Sequence, residues 1–205
     1  TDEMIPLARN NVRVCDLDTG EELRIGQEGE IFFSGPSIMT EYFRNPSETA
    51  DVFYEKDGIR WLRTGDLGYV SENGGFHITG RIKRILWAVG PDNVPYRVYP
   101  MEIERVLCTH PSVKVCAVVG LANGEKGFLP IAYVVLKDSI QREDIERDLA
   151  ELCAKELHDN ALPYAYHFMD KLPTTPAGKV DFRTLERMAA ENSNCGKKLD
   201  FITGR

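Results

Sequence analysis

The sequence predicts an α+β fold in two parts. Residues 1–82 form a β-rich segment, and residues 83–205 a small mixed module with a central sheet flanked by helices. Three observations carry this reading. Up to residue 82 the apolar side chains mostly alternate with polar ones and are punctuated by turn residues, the period-2 signature of half-buried strands. Beyond residue 83, stripes of helical period alternate with short, wholly apolar runs, which marks strands and helices sharing one core. The length of 205 residues suits one large or two small domains, and 42% hydrophobic with 28% charged residues is an ordinary globular balance.

Taken in order, NVRVCD at 11–16 alternates and ends in DTGEE, a strand and a turn. GEIFFSG at 29–35 is a second strand. NPSETADVF at 45–53 reads as a short helix, with Asn45 or Ser47 as its cap because either side chain can accept from a first-turn N–H. RWLRTGDLGYV at 60–70, the turn SENGG and FHITGR at 76–81 compose a hairpin. RILWAVG at 84–90 is a strand candidate. PMEIERVLCTH at 100–110 begins with a proline at a first-turn position and sets Ile103, Val106 and Leu107 on one face. VKVCAVVG and LPIAYVVLKD are strands. Between Ser139 and His158, Ile145, Leu149, Leu152 and Cys153 form a buried helical stripe. YHFMDKL is a further strand, and DFRTLERMAAEN a last helix capped by Asp181. The polar tail from Ser193 is expected to fray.

A net charge of -7 argues against a general nucleic-acid binder, since phosphate contacts need clustered lysine and arginine. The five cysteines, at 15, 108, 116, 153 and 195, make no CxxC and no Cys/His metal spacing, so neither a zinc site nor a redox pair is indicated. Their odd number and scatter suit reduced thiols in the cytoplasm. No apolar run reaches membrane-spanning length and no signal peptide opens the chain.

Three polar features interrupt this apolar pattern. In LPTTPAGKVD, 172–181, Lys179 follows Gly178 in a stretch of turn-formers, which puts it at or just beyond a stiff loop tip, where charges meant for ligands collect. In RTGDLG, 63–68, Asp66 sits on a tight turn, and its two acceptor oxygens suit the paired hydroxyls of a ribose. In ITGRIKRI, 78–85, Arg81 offers a planar fork for phosphate or sugar oxygens and Lys83 a point charge. Each has a plainer reading: a solvated turn lysine, an aspartate bonding its own turn backbone, a charged strand edge that discourages aggregation.

The order of these motifs is more specific than any one of them. GEIFFSGPSIMTEYFRNPSETADVF, RTGDLG, GRIKR, PMEIERVLCTHPSVKVCAVVG and LPTTPAGKVD together resemble the C-terminal portion of the adenylate-forming (AMP-binding) superfamily, which includes acyl-CoA synthetases, adenylation domains of nonribosomal peptide synthetases and luciferases. The resemblance runs from about Gly26 to Met188. It implies that residues 1–82 are the β-rich end of a large AMP-binding domain and 83–205 the mobile C-terminal domain. It further implies a carboxylic acid activated with ATP and Mg2+ to an acyl adenylate and pyrophosphate. The acyl group would then pass to the thiol of CoA or of the phosphopantetheine on an acyl-carrier protein. Under that resemblance Asp66 holds the ribose hydroxyls, Arg81 assists at the same ribose and its phosphate, Lys83 is the hinge, and Lys179 is the catalytic lysine between the reacting carboxylate and the α-phosphate.

Departures from the family pattern matter as much. The phosphate loop, the adenine-binding and magnesium-holding segment and the acyl pocket have no counterpart in these residues, so the chain is expected to be a fragment inactive on its own, with the Mg2+ ligands elsewhere. PDNVPY, 91–96, separates Gly90 from Arg97, where the family has about one residue; the loop borders the thiol channel, which makes CoA transfer less secure than adenylation. Glu41 replaces a common glycine. The rival expectation is a non-catalytic domain of the same descent that docks a carrier protein or another subunit.

Overall fold

The computed structural model describes residues 3–90, 93–137 and 142–194, with the side chains of 142–144 and 194 excepted. Cys195 and the tail beyond it lie outside the described residues, as do Ser139 to Gln141 of the expected third helix. The chain divides into two compact units, Thr1–Lys83 and Arg84–Arg205.

In the first unit the strands β1 (Asn11–Cys15), β2 (Gly29–Ser34), β3 (Phe53–Lys56), β4 (Ile59–Val70) and β5 (Phe76–Arg81) form one antiparallel sheet, with a short helix, α1 (Pro46–Val52), between β2 and β3. Asn45 is the cap: its side chain accepts from the Glu48 N–H at 3.2 Å. The long β4 organises the sheet. Its first residues pair with β3, its last with β5, and the opposite edge with β2. One face packs Val14, Ile31 and Phe76; the other packs Cys15, Phe32 and Trp61, the alternation a period of two demands. Arg13 is buried on the latter side, its guanidinium 4.5 Å from the Trp61 ring centre, a stacked cation compensated by the ring's electrons.

The second unit contains β6 (Leu86–Val89), β7 (Pro95–Val98), α2 (Pro100–Leu107), β8 (Val113–Ala122), β9 (Phe128–Leu136), α3 (Arg142–Glu156), β10 (Ala165–Phe168) and α4 (Phe182–Asn194). Its main sheet runs β10-β9-β8, with β10 parallel and β8 antiparallel to the central β9. Residues of β9 are buried on both faces, which explains why the run is apolar throughout and not alternating. Ala132 and Val134 meet Ile103, Val106, Leu107, Ile145, Leu149 and Cys153 from α2 and α3. Ile131, Tyr133 and Val135 meet Leu185 and Ala189 from α4. This is the expected α+β module with a central sheet flanked by helices.

Three details differ from the sequence expectation. FYEK at 53–56 is a strand because Asp57 and Gly58, both at positive φ, turn the chain straight back onto β4. The end of PDNVPY, Pro95 and Tyr96, pairs with β6 together with Arg97 and Val98 as a hairpin, closed by Gly90 N–H to Val94 C=O at 3.1 Å. The strand expected over YHFMDKL is instead Ala165–Phe168, in parallel register with β9, and past it the chain keeps one further bond, Met169 N–H to Val134 C=O at 3.0 Å. Among the described residues no helix is long and apolar enough to cross a membrane.

Candidate functional site

Asp66 stands where β4 bulges. Between the pairs Phe32–Arg63 and Glu30–Leu67, β2 has one residue and β4 has three: Thr64, Gly65 and Asp66. Such a bulge re-aims a side chain and recurs beside active sites. Gly65 has φ +69°, a conformation glycine adopts without the cost a side chain would bring. Arg63, Thr64 and Gly65 lock the turn onto β2. Thr64 Oγ1 donates to Ile31 C=O at 2.7 Å and accepts from the Asp66 N–H at 3.0 Å. Gly65 N–H donates to Glu30 Oε1 at 3.2 Å, and Arg63 donates through Nη2 and Nε to Glu30 Oε2 at 2.8 and 3.2 Å.

Glu30 is therefore the keystone of the turn, with 4% of its surface exposed. Sequence reasoning missed it. Its signal was there: a glutamate interrupting an otherwise apolar strand has to be paired to be buried.

The Asp66 carboxylate, 15% exposed, takes Arg81 Nε on Oδ1 at 2.6 Å; these residues also face each other across β4 and β5. Burial pushes the Asp66 carboxyl above its ordinary value, Arg81 pulls it back, and Glu30 pushes it further up. A carboxylate kept in a place that disfavours its charge is a mark of a working site. Arg81 itself is 60% exposed, so much of its fork remains open to a ligand.

Lys83 is exposed, within the short 3-10 helix Ile82–Arg84. The next residue, Arg84, is clamped inside the second unit: its fork meets both Glu104 oxygens, at 2.5 and 3.2 Å, and Val118 C=O at 3.1 Å, and it lies 4.0 Å from the Phe182 ring centre. Glu104 in turn accepts from Val118 N–H at 2.8 Å. So Arg81 is held by Asp66 and Arg84 by Glu104, with Ile82 and Lys83 between two anchored arginines.

Lys179 lies in the second unit on a small hairpin. Thr174 bridges Val180, Thr175 N–H donates to Lys179 C=O at 2.7 Å, Gly178 N–H to Thr175 C=O at 2.9 Å, and Lys179 N–H to Thr175 Oγ1 at 3.3 Å. Gly178, at φ +77°, makes the reversal possible. Lys179 is exposed, and among the described residues its ammonium forms no ion pair. Downstream, Asp181 caps α4 through Thr184 N–H at 3.1 Å and Thr184 Oγ1 at 2.9 Å. The structure thus brings Asp66 and Arg81 together in one unit and presents Lys179 from the other. Among the described residues no three His, Cys, Asp or Glu side chains could hold a metal ion.

The chain is similar in sequence and fold to known proteins. Residues 102–179 match the family described as AMP-binding enzyme C-terminal domain. The peroxisomal OPC-8:0-CoA ligase 1 of Arabidopsis thaliana is 35% identical over 181 residues, which are 88% of this chain and 31% of that protein. The amide bond synthetase McbA from Marinactinospora thermotolerans superposes with a TM-score of 0.78 at 34% identity, over 90% of this chain and 36% of that one. The anthranilate CoA ligase AuaEII, solved with anthranoyl-AMP, does so with a TM-score of 0.77 at 26% identity, over 93% and 35%. The chain belongs to the adenylate-forming superfamily and corresponds to the C-terminal portion of its acyl-CoA synthetase-like members. It spans about a third of the length of the relatives it matches.

Proposed function

We propose that this chain is the C-terminal part of an ATP-dependent carboxylate ligase, which joins an acid to AMP with release of pyrophosphate and passes the acyl group to an acceptor. The observation that carries the reading is the locked RTGD turn. A half-buried carboxylate with an arginine fork on one oxygen suits a polyhydroxyl ligand carrying negative charge, and a ribose with its phosphate has that chemistry. Asp66 would accept from the ribose hydroxyls while Arg81 steadies it and reaches the phosphate.

In the reaction a carboxylate oxygen bonds to the α-phosphorus as the bond to pyrophosphate breaks. Two anions must approach, and an ammonium on a stiff loop offsets that repulsion most where the charge gathers, in the transition state. Lys179 supplies that cation. The pair of anchors around Ile82 and Lys83 leaves Lys83 as the point about which a mobile domain, residues 83–205, would turn, delivering Lys179 for one step and withdrawing it for the next. Mg2+ would accompany the nucleotide, held by ligands outside this chain. CoA is the acceptor that the ligase relatives name, and a carrier-protein phosphopantetheine offers the same thiol. An amine acceptor is a second reading, favoured by the likeness to an amide bond synthetase.

The test is carboxylate-dependent ATP–pyrophosphate exchange by the full-length native protein across a panel of acids, with Lys179→Ala beside it. Exchange with at least one acid, falling a hundredfold or more in the variant, is expected, since losing such a charge donor costs on the order of 3 kcal/mol. Exchange indifferent to Lys179 would remove the loop from the mechanism. No exchange with any acid would leave the docking domain as the better account.

A further inference from the structure

Two cysteines of the second unit come together once the chain is folded. Cys108, the C-cap of α2, and Cys116, on β8, lie with their sulfurs 3.5 Å apart. Cys108 is exposed and Cys116 buried, and among the described residues both thiols are free. We propose that these two form a redox-active thiol pair, which a hydroperoxide closes to a disulfide.

Exposure decides the roles. Only Cys108 can be reached by an oxidant in water, so its thiolate attacks the peroxide and becomes a sulfenic acid, releasing water or an alcohol. The Cys116 sulfur then displaces the hydroxyl, and the Cys116 proton leaves with it as a second water. Two thiols and one peroxide thus give one disulfide. Burial, and next the neighbouring Cys108, push the Cys116 thiol well above its ordinary value, which suits a resolving group shielded from oxidation by itself. Closing 3.5 Å to a bonded separation of about 2 Å takes a shift of about 1.5 Å, a modest χ1 adjustment at the exposed Cys108. The bond would fasten the end of α2 to β8 around Glu104, whose backbone carbonyl lies 3.5 Å from Cys116 Sγ and whose carboxylate clamps Arg84.

The experiment is hydrogen peroxide at stoichiometric amounts on the intact, folded protein, then iodoacetamide after unfolding, and tryptic mapping. Cleavage after Arg105, Lys114 and Lys126 puts Cys108 and Cys116 on separate peptides, 106–114 and 115–126. These are expected to appear joined, with the loss of two hydrogens, and to part with dithiothreitol. Cys116→Ala should leave a Cys108 sulfenic acid that dimedone traps, while Cys108→Ser should leave Cys116 unoxidised. Circular dichroism reports that each variant is folded, and the wild-type map stands by itself if either is not. Full alkylation of both cysteines after peroxide, a Cys108 carried on to sulfinic acid beside a free Cys116, or a link from Cys116 to Cys153 would each overturn the proposal.

Discussion

The Asp66 turn and the Lys179 loop are built on opposite plans. The turn is held by a carboxylate from another strand: Glu30, 35 residues before Gly65, takes hydrogen bonds from Arg63 and Gly65 and is almost wholly buried. The loop closes on itself through Thr175, four residues from Lys179, and the lysine stands in solvent. A rigid, non-local support suits a group that must keep one position against a bound ligand. Self-contained support suits a group carried about by a moving unit, because the loop keeps its shape wherever it goes. The difference also divides stability from function: the turn should be costly to disturb, and the loop's lysine cheap.

Glu30→Ala carries the largest expected effect on stability. It strands the Gly65 N–H and half of the Arg63 fork; Arg63 is 49% exposed and can turn to water, so about 2 kcal/mol is the expected loss, read from chemical denaturation. A loss under about 0.5 kcal/mol would mean that the turn holds itself, and the contrast with the loop would disappear.

Asp66→Asn sharpens the same contrast. Because the folded state raises the Asp66 pKa, it binds the proton more tightly than the unfolded chain. Wild-type stability therefore falls as pH rises from the ordinary carboxylate value through the raised folded value, and above that window the whole cost is present. The asparagine variant lacks this slope. At neutral pH it should melt no lower than wild type, less whatever the exposed Arg81 pair contributed, while nucleotide binding by the full-length protein is lost. A variant that melts far lower would make Asp66 a structural residue.

Much of this was legible in the sequence. The apolar IFF run in GEIFFSG and the helical stripe through Ile145, Leu149 and Cys153 state their own burial, and Asn45 and Asp181 announce helix starts because capping is local chemistry. Asp66 and Arg81 could be singled out by residue type and spacing. Their pairing depends on the register of β4 against β5, and the role of Glu30 on a bulge opposite a strand distant in sequence. Neither is written in a motif. The Cys108–Cys116 contact escaped for the same reason: eight residues apart fits no redox motif, yet a helix end and the following strand bring the sulfurs together.

Gly178→Ala tests the loop's plan. Space is open around the position, with no heavy atom within 4 Å of an added Cβ, so the whole cost is the backbone at φ +77°. About 1 kcal/mol of destabilisation is expected. If exchange activity in the full-length protein falls much further than that stability loss explains, the loop's shape is what positions Lys179. If activity and stability both hold, the chain finds another route through the turn and stiffness is not what the site requires.

The smallest effect belongs to Asp181, two residues past Lys179. The Thr184 backbone N–H, then its hydroxyl, hold the Asp181 carboxyl below its ordinary value. A lowered folded pKa contributes stability that is complete above the unfolded value and lost as pH falls through the folded one. Asp181→Ala should thus lower the melting temperature slightly at neutral pH and by progressively less as the medium is acidified below the ordinary carboxylate range. Catalysis should be spared, because the hairpin closes through Thr175 and Pro173 backbone contacts that the cap's side chain does not make. A loss of exchange as deep as that of Lys179→Ala would mean that the cap and the loop act as one unit, so that the lysine is positioned by helix α4 and not by the hairpin alone.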